Sequence, residues 1–214
     1  NPKPSDLKRV ADARIVLASG KGLEKAYMPA IRDNLGPGAE CYEVGRCVPS
    51  CKVEADSEVF VCCPSHSVGG IDPHWWHSVK SMKRAARDVG KVLGEVDPAH
   101  AKAYAENAKT YGKQLDELHD WVRTEIATIP RSRRYLTTAH AAFGYFCRDY
   151  GLKAIPIQGL HKEQEPTPKY LAETIDAIRK HKIPAVFPEE QANPKVLKSM
   201  VDETGVVIGG TLMA

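Results

Sequence analysis

The chain has 214 residues, 43% of them hydrophobic, and its 30 Lys and Arg against 27 Asp and Glu leave a formal charge of only +3. That length and apolar share suit a compact body of one large domain or two small ones, and the interspersed charges exclude a nucleic-acid-binding chain. No run approaches the ~18 apolar residues of a membrane span, and the opening residues do not read as a basic, apolar signal peptide, as is expected also of a secreted protein once processed. The chain opens on Asn1-Pro2-Lys3-Pro4 and stops after the strand-like Val206-Val207-Ile208-Gly209-Gly210-Thr211-Leu212-Met213. Both ends read as cut within a fold.

Pro4-Ser5-Asp6 ahead of Leu7, Val10 and Ala11 is a capped helix start, and residues 13–18 follow as a short buried strand. Residues 22–35 read as helix and 39–44 as strand. Residues 45–72 then form a turn-rich excursion with a possible strand at 58–62. Five of the six cysteines (Cys41, Cys47, Cys51, Cys62, Cys63) fall in or beside that excursion. Their spacing is not the paired C-x2-C of a zinc ribbon, so an oxidised loop of a non-cytosolic protein is expected, with free thiols or a metal-gathering loop as alternatives. Cys147, among aromatics on a helix, is expected to be a buried free thiol.

From Ser78 the apolar residues Val79, Met82, Ala86, Val89 and Leu93 fall at helical steps. Asp97-Pro98 starts a longer helix with the stripe Tyr104, Ala108, Tyr111, Leu115, Leu118 and Val122, interrupted only by Gly112. Thirty residues at 1.5 Å each reach about 45 Å, enough to pass from one lobe to another. After Pro130, strands at 135–138, 154–157, 185–187 and 206–210 alternate with helices at 142–150, 169–181 and 194–204. Such alternation implies parallel pairing with right-handed crossovers. The fold class is therefore α/β: an N-terminal lobe over residues 1–97, carrying the Cys-rich loop 45–72, a rigid linking helix over 98–129, and a C-terminal lobe over 130–214.

Ligands of open α/β sheets bind at the carboxyl ends of strands. Two histidines stand at such ends, His74 in Ile71-Asp72-Pro73-His74-Trp75-Trp76 and His140 after Tyr135-Leu136-Thr137-Thr138-Ala139, one in each expected lobe. Taken alone, a histidine at a strand end is more often a hydrogen-bonded loop residue than a ligand. His66, His77, His100, His119, His161 and His181 read as surface residues. Trp75 and Trp76 read as packing aromatics, and Phe143, Tyr145, Phe146 and Tyr150 as a buried helix face. Glu163 and Glu165 lack an accompanying nucleophile or oriented base and read as solvated charges.

In order and spacing, Pro2-Lys3-Pro4-Ser5-Asp6, Asp72-Pro73-His74 with Trp76, Asp97-Pro98 with Tyr104 and Asn107, and Thr138-Ala139-His140-Ala141-Ala142-Phe143-Gly144-Tyr145-Phe146 form a specific set. So do Gln158-Gly159, Glu165-Pro166-Thr167-Pro168 and Gly209-Gly210-Thr211-Leu212. Together, over nearly the whole chain, they resemble the zinc and manganese solute-binding proteins of ABC importers, the ZnuA/TroA-like cluster A-I family. The resemblance implies two α/β lobes joined by one rigid helix, with a metal held in the interlobe cleft by four side chains. Two of these map onto His74 and His140. A histidine just ahead of Asn1 and a carboxylate just after Ala214 would complete the set.

Two imidazoles favour zinc, whereas manganese prefers oxygen-rich sites, and manganese-specific members of the resembling family commonly carry a carboxylate where His140 stands. The expected role is capture of Zn2+, with Mn2+ as the alternative, by a monomeric periplasmic or extracellular receptor that is lipid-anchored or free. The receptor would deliver the ion to a membrane permease. A filled four-ligand shell leaves no position for substrate water, so catalysis is not expected. A metal-dependent hydrolase and a surface adhesin on the same scaffold are the competing readings.

Overall fold

The computed structural model describes residues 2–52, 70–160, 166–190 and 192–213. Its contacts divide the chain into two units, Asn1–Ser50 with Val79–His119, and Cys51–Ser78 with Asp120–Ala214. The sequence reading sets His74 and His140 in separate lobes; both fall in the second unit.

In the first unit, α1 (Pro4–Asp12) opens with proline in its first turn, where a missing N–H costs nothing, and the Lys3 N–H donates to Asp6 Oδ2 at 2.8 Å. Strands β1 (Ile15–Ala18) and β2 (Glu40–Glu43) pair in parallel, with Ile15 opposite Glu40. Between them, α2 spans only Met28–Asp33, shorter than the 22–35 helix expected from sequence. Gly20, Lys21 and Gly22, with φ values of 82°, 54° and 86°, rule out a helical start at Gly22, and residues 23–27 continue as turn. The Glu24 carboxylate holds that turn by accepting from the Ser19 and Gly20 N–H groups at 2.6 and 2.9 Å. Ala18, Met28 and Ile31 form the buried cluster beneath it.

Helix α3 (Val79–Val96) leads through a single tight turn, Pro98–His100, into α4 (Ala101–Ala127). The helix runs unbroken through Gly112, in agreement with the long helix read from sequence. A Cβ on Gly90 would meet the Ala108 Cβ at 2.9 Å, so glycine is what allows α3 to approach α4 this closely.

The second unit alternates strictly: β3 (Tyr135–Leu136), α5 (Gly144–Tyr150), β4 (Lys153–Ala154), α6 (Pro168–His181), β5 (Ala185–Val186), α7 (Pro194–Thr204) and β6 (Val207–Ile208). β3 pairs with β4 and β5 with β6, all parallel, and a parallel bridge from Thr138 to Phe187 links the two pairs. The regular strands are shorter than those read from sequence because pairing continues beyond them only as bridges and single hydrogen bonds, such as Phe187 N–H to Thr137 O at 2.8 Å. Thr167 and Asn193 cap α6 and α7 by accepting from Tyr170 N–H and Lys195 N–H, and a proline follows each cap. Ile155, Ile157, Ile178, Val186, Met200 and Val206 lie in the core between sheet and helices. Each such burial contributes roughly 1.5–3 kcal/mol. Of the four aromatics expected on a buried helix face, Phe143, Tyr145 and Tyr150 are buried and Phe146 is half-buried.

Cys41 and Cys47 are free thiols, so the expected disulfide does not involve either of them. Each sulfur has its own local surroundings: Cys41 Sγ lies 3.7 Å from Met28 Sδ, and Cys47 Sγ–H donates to the Val44 carbonyl at 3.2 Å. Cys62, Cys63, the possible strand at 58–62, His66, His161, Glu163 and Glu165 lie outside the described residues. Cys147 is buried and free, as expected. No helix among the described residues is long and apolar enough to cross a membrane.

Candidate metal centre

Asp72 and His74 are fixed by a local turn. Asp72 Oδ1 accepts from the His74 N–H at 2.8 Å and lies 2.8 Å from His74 Nδ1, so one carboxylate oxygen sets both the backbone and the ring two residues on. The backbone of Asp72 is held in turn: its N–H donates to Cys51 O at 2.9 Å, and the Tyr145 hydroxyl donates to its carbonyl at 3.1 Å. The same hydroxyl accepts from the Cys51 N–H at 3.0 Å. A Cβ on Gly144, at the start of α5, would stand 2.6 Å from Asp72 Oδ2. Only glycine leaves room for that carboxylate.

His140 follows β3 and forms a parallel bridge with Gln158, which follows β4. Its carbonyl accepts from Thr138 Oγ1 at 2.7 Å and from the Ala142 N–H at 2.9 Å. The backbone is thus fully engaged, yet both ring nitrogens are buried without a hydrogen bond. Glu189, just beyond β5, supplies the nearest charge. Its Oε2 lies 3.3 Å from His140 Nδ1, within ion-pair distance but angled away from a hydrogen bond, and its Oε1 accepts from the His140 N–H at 3.4 Å. Relative exposures of 3%, 6%, 1% and 5% for Asp72, His74, His140 and Glu189 mean that water does not serve as the default partner of these groups.

The His74 and His140 rings meet edge to face, with centroids 5.2 Å apart and planes at 75°, and Trp76 walls His74 at 5.3 Å. His77, read from sequence as a surface residue, is instead packed: its Nε2 is enclosed without a hydrogen bond and its ring lies 4.4 Å from Phe143. Burial first, and then the nearby His74 and His140, pull its pKa down to about 4. A neutral imidazole behaves here as a flat, largely apolar plate, which is why it is tolerated inside. Of the other histidines, His100 pairs with Asp97 at 2.8 Å on the surface, and His181 stacks on Tyr135 at 4.4 Å.

An unpartnered buried nitrogen costs about 1–3 kcal/mol, and His140 carries two. A cation removes that cost, because a neutral imidazole lone pair is a metal donor and an adjacent carboxylate offsets charge. Among the described residues no group of three or more His, Cys, Asp and Glu side chains is arranged to hold a metal ion. The roles of Asp72 and Glu189 were missed from sequence, although Glu189 follows β5 much as His140 follows β3, so the strand-end rule pointed to both.

The family described as zinc-uptake complex component A, periplasmic (ZnuA), matches residues 1–214. The chain belongs to this family. The manganese-binding lipoprotein MntA of Bacillus subtilis is 32% identical over 212 residues, covering 97% of this chain and 66% of MntA. The iron-binding protein YfeA of Yersinia pestis is 31% identical over 211 residues, covering 99% of this chain and 64% of YfeA. This ZnuA-family chain thus spans about 64–66% of the length of these curated relatives. In fold it is similar to the periplasmic zinc-binding protein TroA of Treponema pallidum, with TM-score 0.85 and 26% identity over 99% of this chain and 74% of that one. The α/β architecture with parallel strands and a long helix is therefore that of the TroA-like proteins.

Proposed function

We propose that this ZnuA-family chain belongs to an extracytoplasmic receptor that captures a divalent transition metal, zinc in the first instance, and hands it to the permease of an ABC importer. His74 and His140 are its imidazole donors. The observation that carries this reading is the buried His140 ring, whose nitrogens lack a hydrogen bond while the His74 ring stands 5.2 Å away, edge on. Capture starts with an ion exchanging water for imidazole nitrogen. The carboxylates of Asp72 and Glu189 behind the two rings stabilise the charge brought in. Delivery is the reverse, and needs no bond made or broken in a substrate.

Zinc is favoured over manganese because both donors are nitrogen, and Zn2+ stands above Mn2+ in affinity at such sites. Relatives named for manganese, iron and zinc support the general class of cargo without choosing within it. The names lipoprotein and periplasmic among them support a location outside the cytoplasm. The receptor is proposed to work as a monomer.

The test is direct titration of the metal-free protein with Zn2+ and Mn2+ against a chromophoric chelator, alongside His74→Ala and His140→Ala. Each substitution is expected to weaken zinc binding by about 100-fold or more while leaving the circular dichroism spectrum unchanged. Wild-type affinity in either variant would refute its assignment as a donor, and tighter binding of Mn2+ than Zn2+ would overturn the choice of cargo.

A further inference from the structure

Two carboxylate–imidazole pairs stand side by side in the second unit, and both approach the ring through the same nitrogen. Asp72 Oδ1 lies 2.8 Å from His74 Nδ1, and Glu189 Oε2 lies 3.3 Å from His140 Nδ1. The first pair comes from neighbours in sequence, whereas the second joins residues 49 positions apart and exists only through the bridge that aligns β3 with β5. Glu189 is also a poorly satisfied group. It is 5% exposed, the His140 N–H reaches its Oε1 only at 3.4 Å, and among the described residues its ion-pair partner is His140. A buried carboxylate left this way works against stability and persists where something else compensates it.

We propose that Glu189 is the positioning residue of His140: its carboxylate holds the proton on Nδ1, directs the Nε2 lone pair to the metal, and counters the incoming positive charge. The step rests on His140 being a metal donor. A neutral imidazole carries one proton on two nitrogens, and the nitrogen facing a carboxylate keeps it. At 3.3 Å the carboxylate is close enough that a small rotation of the ring would give a true hydrogen bond, and a metal held at Nε2 would favour that orientation.

Two substitutions separate the parts of this role. Glu189→Gln keeps an oxygen within reach of Nδ1–H but removes the charge, and Glu189→Ala removes both. Zinc affinity is expected to fall roughly 10-fold in the first and towards 100-fold in the second. The absorption bands of the Co2+-loaded protein at saturation should keep their wavelengths, because the donors themselves are unchanged. The metal-free thermal midpoint should stay level or rise, since an uncompensated buried charge has been removed. A merely structural residue would lower that midpoint together with affinity, and such a result overturns the proposal. Wild-type zinc affinity in both variants also overturns it, and shifted cobalt bands would make Glu189 a donor instead. His140→Ala is measured in parallel: if it binds zinc normally, the metal-capture reading fails, whereas loss in His140→Ala with none at Glu189 refutes only the positioning role.

Discussion

Gly144→Ala places one methyl group where the structure has none to spare. The added Cβ would lie 2.6 Å from Asp72 Oδ2, about 0.8 Å short of the 3.4 Å at which ordinary contact begins. Asp72 cannot swing aside freely, because its other oxygen is bound to both the N–H and Nδ1 of His74 at 2.8 Å, and its backbone is tied to Cys51 and Tyr145. Displacing the carboxylate therefore displaces the imidazole. Functional geometry tolerates about 0.5 Å, so a shift of this size is expected to weaken zinc binding roughly 10- to 100-fold, or about 1.4–2.7 kcal/mol. Overpacking costs about 1–3 kcal/mol of stability, partly offset by the 0.5–1 kcal/mol that Ala gains over Gly in a helix. Competition titration with Zn2+ gives the first quantity and denaturant unfolding of the metal-free protein the second. Full zinc affinity in Gly144→Ala would show that Asp72 does not hold His74, and the coupling argued here would fall.

The packed His77 makes stability depend on pH. Its folded-state pKa of about 4 lies below the ordinary 6.5, so the unfolded chain binds more protons between those values; the contribution is whole above pH 6.5 and lost as pH falls towards 4. At most about 3 kcal/mol is involved. His77→Leu should flatten that part of the curve in denaturant titrations of metal-free protein, and an unchanged slope would refute it. Burial pushes the Cys147 thiol up to about 12, so native protein at pH 8 should leave it unlabelled by iodoacetamide, while denaturation without reductant should release at least three reactive thiols. A count below three would mean that Cys41 or Cys47 is oxidised after all.

The strand–helix alternation from Pro130 onward was legible because short apolar runs alternate with capped, proline-led helices, and the long α4 because its stripe survives Gly112. The start of α2 was not legible, since apolar spacing over 22–35 looks helical while the left-handed backbone at residues 20–22 forbids it. At the site, His74 and His140 stand out in the sequence as strand-end histidines and by the family resemblance; His140 does follow β3, whereas His74 follows only an isolated bridge at Ile71. Glu189 was hidden because its partner is distant in sequence, and His77 because its burial comes from packing on Phe143, a contact no local pattern encodes.

The second unit is discontinuous, made of Cys51–Ser78 and Asp120–Ala214. Cutting the chain between His119 and Asp120 therefore does not yield two natural halves. A fragment starting at Asp120 would keep His140 and Glu189 but lose Asp72 and His74, and it would lose the carbonyl that receives the Tyr145 hydroxyl 73 positions away. The complementary fragment would carry Asp72 and His74 with nothing to bury them against. Dissection of this protein into modules has to follow the path of the polypeptide through space, and recombining the two fragments, not isolating either one, is the route to recovering the centre.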